Sequence, residues 1–143
     1  MKNLKEVYIM YHKILSNAGI FCFGAVGYTL IEILYRGYTH WTMALTGGLC
    51  LLLLYHIYAG MPDVSLLRKS FIGTGVITAI EFAVGCIVNL YLKWNIWDYS
   101  GMYMDILGQI CLFYSFMWFL LSGFIAVMVK VIGKVIDAKK TVG

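Results

Sequence analysis

Two glutamates inside long apolar segments are the residues of this sequence best placed to do chemistry. Glu32 and Glu81 each complete a Gly-x4-Thr-x-Ile-Glu pattern, which begins at Gly24 and again at Gly73. A charged side chain at the centre of a bilayer costs about 3 kcal/mol or more, so two acids at matched positions need a reason. They predict either a site for a proton, a cation or a polar solute, or structural hydrogen bonds to a neighbouring helix or protomer.

Threonines share a helical face with both acids. Thr29 and Thr78 each precede the acid of their own segment by three residues, a spacing that places both side chains on one face of a helix. Small residues on the same faces favour close helix approach and direct the carboxyl groups into protein instead of lipid. Gln109 is the predicted polar partner in the last apolar segment. The residues expected to line a solute or ion pathway are Glu32, Glu81, Thr29, Thr78 and Gln109.

A second group of candidate residues lies in two loops. Residues 36–41 and 93–100 are rich in aromatic side chains and contain one basic and one acidic candidate, Arg36 and Asp98. These two are predicted to pair at the mouth of the pathway, although the same residues would also serve as interface anchors that close the bundle. The predicted outer-mouth residues are Arg36, His40, Trp41, Trp97, Asp98 and Tyr99.

The other chemistry-bearing residues do not form recognisable sites. No His, Cys or acidic residues have metal-ligand spacing within a helix, so no metal and no other cofactor is predicted. No nucleophile lies in a recognisable catalytic turn, and the protein is not expected to be an enzyme. The four cysteines occur inside apolar segments without CxxC spacing, which is typical of reduced packing residues.

Composition shows what must position these residues. Of the 143 residues, 62% are hydrophobic and 13% are charged, against roughly 45–50% and about 25% in soluble domains. Lipid must therefore be the solvent, and four segments are long enough to cross a core of about 30 Å. Residues 1–13 are expected to be an interfacial helix or a loose arm, and residues 130–143 a basic amphipathic tail that contacts anionic lipid. The predicted spans are residues 14–35, 41–60, 71–92 and 106–129.

The distribution of basic residues predicts the orientation. Arg36 and Lys93 are the two basic residues on one side of the membrane, and the other nine of the eleven Lys and Arg lie on the opposite side. By the positive-inside rule, both termini are cytoplasmic, and the expected location is a bacterial inner membrane. The basic residues lie in short clusters at helix ends and do not form a stripe, so no nucleic-acid partner is expected.

An internal repeat organises the predicted spans into two halves. The pattern around Glu32 recurs around Glu81 at an offset of 49, and a weaker match relates residues 45–50 to residues 106–111. The predicted fold is an all-α integral membrane four-helix bundle made of two parallel, pseudo-repeated helical hairpins. Because four helices hardly enclose a solute path, a homo-oligomer, and first of all a dimer, is expected.

Several motifs of the second half resemble a known family. Glu81, Trp118 and the runs at 97–100 (Trp-Asp-Tyr-Ser) and 108–111 (Gly-Gln-Ile-Cys) are similar to the signature of the CmpB-like bacterial ABC-transporter permease family. The resemblance covers roughly residues 24–125. It implies a multipass permease whose partner is an ATPase or another membrane subunit. This chain has no GxxxxGK[ST] motif of its own.

The sequence therefore leaves two functions open. The first is a transport-related protein, permease or channel-like, that acts as an oligomer. The second is a non-transporting membrane subunit or a lipid- or protein-binding partner of another membrane complex. In either case Arg36, one helical turn after Glu32, is expected to favour its charged form. Since no Lys or Arg reaches the middle of the third span, Glu81 is expected to be neutral and to donate a hydrogen bond to a Thr or Gln.

Overall fold

The fold is all-α, as the sequence predicts. A computed structural model describes the backbone of residues 3–142 and the side chains of residues 3–138. Helix α1 is Leu4–Arg36, α2 is Trp41–Ala59, α3 is Leu66–Gly85 and α4 is Leu112–Val142. Each is long and apolar enough to cross a membrane, and residues 3–142 contain no strand. The chain is therefore a membrane protein with four such helices.

Three of the helices differ in extent from the predicted spans, and α3, Leu66–Gly85, begins before and ends before the predicted 71–92. Helix α1 begins at Leu4, so residues 4–13 continue the first span as helix. Helix α4 begins at Leu112, six residues after the predicted start at Ile106. The helix does not include residues 106–111, because the backbone at Leu107 and Gly108 has φ of 53° and 68°, in the left-handed region that is incompatible with a right-handed helix. Residues 45–50, in contrast, lie inside α2, so the weaker repeat match joins segments of different backbone conformation.

The chain divides into two compact units, Met1–Leu52 and Leu53–Gly143. In the first unit, α1 approaches α2 closely at glycines. A Cβ at Gly24 would lie 2.7 Å from the Gly47 carbonyl oxygen, and a Cβ at Gly48 would lie 2.8 Å from that of Phe21. The absence of side chains at these positions therefore permits the two backbones to touch.

In the second unit, α3 packs along α4, and polar groups fix the first turns of α3. The Ser122 hydroxyl donates to the carbonyl oxygen of Ser70 at 2.8 Å, and the Tyr58 hydroxyl donates to that of Lys69 at 3.0 Å. A Cβ at Gly73 would lie 2.0 Å from the Tyr58 hydroxyl oxygen and 2.5 Å from Ser122 Cβ. Only a glycine at position 73 leaves room for the side chains of Tyr58 and Ser122 against α3.

Helix α3 does not end in a regular cap but passes into a π-helical segment, Cys86–Tyr91. The next twenty residues form the segment that we call the 92–111 loop. Its backbone has positive φ at Lys93, Asn95 and Met104, yet it contributes buried side chains, among them Trp97. The loop is thus a folded element that packs on the second unit, and it holds many of the residues singled out by the sequence.

Candidate functional site

Glu81 lies at the centre of the polar cluster in the second unit. Its side chain is 4% exposed. Trp118 Nε1 on α4 donates to Glu81 Oε2 at 2.7 Å, and the Tyr99 hydroxyl in the 92–111 loop donates to Oε1 at 3.0 Å. The expected Thr or Gln partner was wrong, because both partners are aromatic donors. One carboxyl group therefore joins α3, α4 and the loop.

The two donors are connected by a third aromatic ring. Tyr99 stacks on Tyr114, with ring centroids 4.4 Å apart and ring planes 18° apart. Tyr114 also contacts Trp118, with centroids 6.4 Å apart. Offset stacking of this kind restricts ring orientation. The three rings thus hold the phenol and the indole in position to donate to Glu81.

A network of amide groups fixes the 92–111 loop to the end of α3. Asn89 Nδ2 donates to Gln109 Oε1 at 2.8 Å, and Asn89 Oδ1 accepts the backbone N–H of Ile96 at 2.7 Å. Gln109 Nε2 donates to the Leu107 carbonyl at 2.8 Å, and Trp97 Nε1 donates to the Gln109 carbonyl at 3.0 Å. Asn89 and Gln109 are buried, so these bonds replace the water that the amides lose.

Two glycines make this arrangement possible. A Cβ at Gly85 would lie 2.6 Å from Gln109 Oε1, so the amide network needs a glycine on α3. Gly108 has φ +68°, and a Cβ there would lie 2.6 Å from Asp98 Oδ1. The Gly108 carbonyl accepts the backbone N–H of Tyr99 at 2.8 Å. Gly108 therefore determines where the backbone of the Tyr99 donor lies.

Asp98 is exposed beside this cluster, and its carboxylate accepts hydrogen bonds within its own loop. Its Oδ1 accepts the backbone N–H of Ser100 at 2.9 Å. Hydrogen bonds from the Ser100 hydroxyl and from this N–H hold the pKa of Asp98 below its ordinary value of 3.8. Arg36, its predicted partner, forms an ion pair with Glu32, and the pairing with Asp98 stays a prediction. Each member of the predicted Arg36–Asp98 pair thus has a partner near to it in sequence.

In the first unit, Glu32 has its own polar partners. Arg36 Nη2 donates to Glu32 Oε1, as the i,i+4 spacing predicts, and the Thr39 hydroxyl donates to Oε2 at 2.6 Å. The Arg36 guanidinium also lies 4.9 Å from the centroid of the Tyr38 ring. Glu32 is therefore a buried carboxylate with a cation at hand.

The remaining predicted residues are divided between the two units. Thr29 is half-buried on α1, while the His40 ring lies 5.6 Å from the Trp41 ring, and His40 Nδ1 lies 2.8 Å from Thr42 Oγ1. Thr78 is on α3, and its hydroxyl oxygen is the one buried side-chain polar atom in the described part of the chain without a hydrogen-bond partner. An unsatisfied buried hydroxyl costs about 1–3 kcal/mol.

Sequence reasoning missed several members of the cluster. Asn89 interrupts an apolar run, and a polar side chain in such a run is a signal that would have found it. Tyr114 and Thr39 carry no such signal, because aromatic and hydroxyl residues are common near helix ends. Within residues 3–138, no group of three His, Cys, Asp or Glu side chains is placed to hold a metal ion.

The cluster contains the residues on which the family resemblance rests. Glu81, Tyr99, Gln109 and Trp118 are distant in sequence, yet each lies in the Glu81 cluster or in the adjoining amide network. A family model described as "Putative ABC-transporter type IV" matches residues 18–141. Comparisons with curated proteins and with solved structures gave no match. The resemblance is thus confirmed over most of the sequence, and the chain belongs to the CmpB family of ABC-transporter type.

Proposed function

We propose that this protein is permease- or channel-like and that Glu81 is the acid that receives a proton, a cation or a polar solute. The observation that carries the proposal is the unequal pair of donors on its carboxyl group. Trp118 is buried, and an indole N–H only donates. Tyr99 is half-buried, and a phenol both donates and accepts. Tyr99 is therefore the exchangeable partner.

Exchange at Tyr99 follows from the chemistry of its hydroxyl. When Glu81 is a carboxylate, the phenol donates to Oε1; when Oε1 carries a proton, the phenol oxygen accepts. A cation that reaches Oε1 replaces the phenol altogether. The change from donor to acceptor requires only rotation of the O–H bond. Replacement by a cation requires the side chain to shift from its stacking on Tyr114, while the Gly108 carbonyl holds the backbone N–H of Tyr99 and so keeps the loop in place.

Charge balance around Glu81 supports the same proposal. In the part of the chain that the structure describes, Glu81 forms no ion pair and so has no cationic partner, whereas Glu32 pairs with Arg36. An uncompensated carboxylate in a low-dielectric interior attracts a proton or a cation. The unpartnered Thr78 hydroxyl, three residues before Glu81 on α3, offers a further polar group to water or to a solute. The carboxylate of Glu32 is already compensated by the Arg36 cation.

The assembly that we propose is a homo-oligomer, with a dimer as the first form to test. Of the residues of α1, only Gly24 and Glu32 are buried, so lipid or a second protomer must cover most of this helix. An ATPase or another membrane subunit would meet the chain on the side of residues 60–65, which join α2 to α3. With the charge distribution given above, this side and both termini are cytoplasmic, and the membrane is a bacterial inner membrane.

Flux measurements in proteoliposomes test the proposal. We expect Glu81→Gln to reduce proton flux, followed with an entrapped pH dye, or rubidium uptake, and Tyr99→Phe to alter its rate. Glu32→Gln is the matched control, because it removes a buried acid that already has a cation. Equal flux in the wild type and in a folded Glu81→Gln variant would remove Glu81 from the pathway.

A non-transporting membrane subunit is the second candidate. It is favoured by the observation that both carboxyl oxygens of Glu81 already accept hydrogen bonds from this chain, as a static bundle requires. The two candidates differ in a simple experiment. Stoichiometric co-purification of another membrane protein in mild detergent, together with no flux from the chain alone, would support the second candidate.

A further inference from the structure

Lys69, in the first turns of α3, is a buried cation without a partner. The residue is 5% exposed. In the part of the chain that the structure describes, its ammonium forms neither an ion pair nor a hydrogen bond. The ammonium nitrogen is nevertheless not fully enclosed, and it keeps a path to the surface. Buried charges are normally paired, and the described part of the chain supplies no partner for this one.

The neighbouring Arg68 shows that burial is not imposed on every basic residue at this helix end. The side chain of Arg68 is exposed on the surface of the protein. A lysine whose only role was to reach water would need no buried stem, since long basic side chains extend along a surface readily. Lys69 instead has its stem packed in protein.

The start of α3 supplies further groups that suit an anion. The helix begins at Leu66, and the side chain of Ser65 at the N-cap makes no capping hydrogen bond. The backbone N–H of Lys69 donates to the Ser65 carbonyl at 3.1 Å, which leaves the amides of residues 66–68 in the unpaired first turn. Side chains on a helix lean toward its N-terminus, so the Lys69 stem leans toward these amides.

This turn is held rigidly by the rest of the second unit. The Tyr58 hydroxyl donates to the Lys69 carbonyl, and the Ser122 hydroxyl donates to the Ser70 carbonyl. The Ser70 hydroxyl in turn donates to the Leu66 carbonyl at 3.1 Å. A turn fixed in this way loses little conformational freedom when an anion binds to it.

We propose that the first turn of α3 binds the phosphate group of an anionic lipid headgroup, with Lys69 as the ion-pair partner and the open amides as donors. The turn lies at one end of a helix long enough to cross a membrane, which is where headgroups lie. A phosphate at a helix N-terminus next to an ammonium is a favourable arrangement. Lys69 precedes Glu81 by twelve residues, about 18 Å along a helix, so this site is independent of the proposed function.

Native mass spectrometry of the detergent-purified protein tests the site. Phosphatidylglycerol and phosphatidylcholine with the same acyl chains are added in separate titrations. The wild type should retain phosphatidylglycerol in preference, and Lys69→Met should weaken that binding about tenfold, since the bond lost is charge-assisted. Lys93→Met, which removes an exposed lysine of the 92–111 loop, should leave the binding unchanged. Circular dichroism and gel filtration check that the variants fold.

A titration of bound phosphatidylglycerol with inorganic phosphate distinguishes the sources of the anion. Displacement by free phosphate would show that the site takes the phosphate group from either source, and retention would assign it to the lipid alone. Equal retention of the two lipids by the wild type would overturn the proposal, and this result needs no variant. An unchanged affinity in folded Lys69→Met would overturn it as well.

Discussion

Replacing Trp118 with phenylalanine removes one hydrogen bond from Glu81 while keeping an aromatic ring on α4. The bond lost joins Trp118 Nε1 to Glu81 Oε2 over 2.7 Å, and both residues are buried. A hydrogen bond to a charged group contributes about 1.5–3 kcal/mol. We therefore expect Trp118→Phe to lower the free energy of unfolding by about 2 kcal/mol, and Tyr99→Phe, at a half-buried site, by about 1 kcal/mol.

A double-mutant cycle separates this bond from the change in ring size. In a Glu81→Met background, Trp118→Phe should cost about 1.5 kcal/mol less than in the wild type, because the acceptor is already gone. Reversible unfolding in mixed micelles gives the free energies. Trp94→Phe is the matched control, since Trp94 is an exposed indole in the 92–111 loop. A cost for Trp118→Phe no larger than that of Trp94→Phe, or a cycle without coupling, would refute the hydrogen bond as the link between α3 and α4.

Three further predictions follow from the loop and the charge distribution. Gly108→Ala should destabilise the second unit by about 1–3 kcal/mol in the same unfolding assay, because φ is positive and the methyl group meets Asp98; wild-type stability would contradict the geometry. The pKa of the Asp98 carboxyl, measured by NMR, should lie below 3.8, so its contribution to stability is full above that pH and is lost as the pH falls further. Asp98→Asn should remove this acid dependence. A pKa at or above 3.8 would exclude the Ser100 bonds. In a cysteine-free background, a cysteine at Tyr103 should react with an impermeant thiol reagent added outside and one at Lys134 should not; the reverse pattern would overturn the orientation.

Local spacing explains what the sequence predicted well. The ion pair of Glu32 and Arg36 needs only a helix, because residues four apart are neighbours on its surface. The four apolar helices follow from composition and length in the same way. These features depend on contacts within a turn or two of helix, which an amino-acid pattern determines almost by itself.

The partners of Glu81 are a different case, because they come from distant parts of the chain. Tyr99 and Trp118 lie 18 and 37 residues after the acid, and only the packing of α3, α4 and the loop brings them together. The family resemblance selected these residues without indicating that they touch. Periodicity also failed at residues 106–111, which belong to a folded loop in which Leu107 takes a left-handed backbone that its residue type disfavours. The repeat around Glu32 and Glu81 stays a prediction, and the two acids differ in their partners.

Infrared difference spectroscopy of the protein in lipid tests most directly whether Glu81 is the exchanging acid. Spectra taken in acidic and alkaline buffer report carboxyl protonation and phenol hydrogen bonding together. The account predicts a carboxyl C=O band that disappears in Glu81→Gln and persists in Glu32→Gln, with a tyrosine component that Tyr99→Phe removes. A band that survives in Glu81→Gln, or a spectrum in which no buried carboxyl responds, would contradict the proposed role of Glu81.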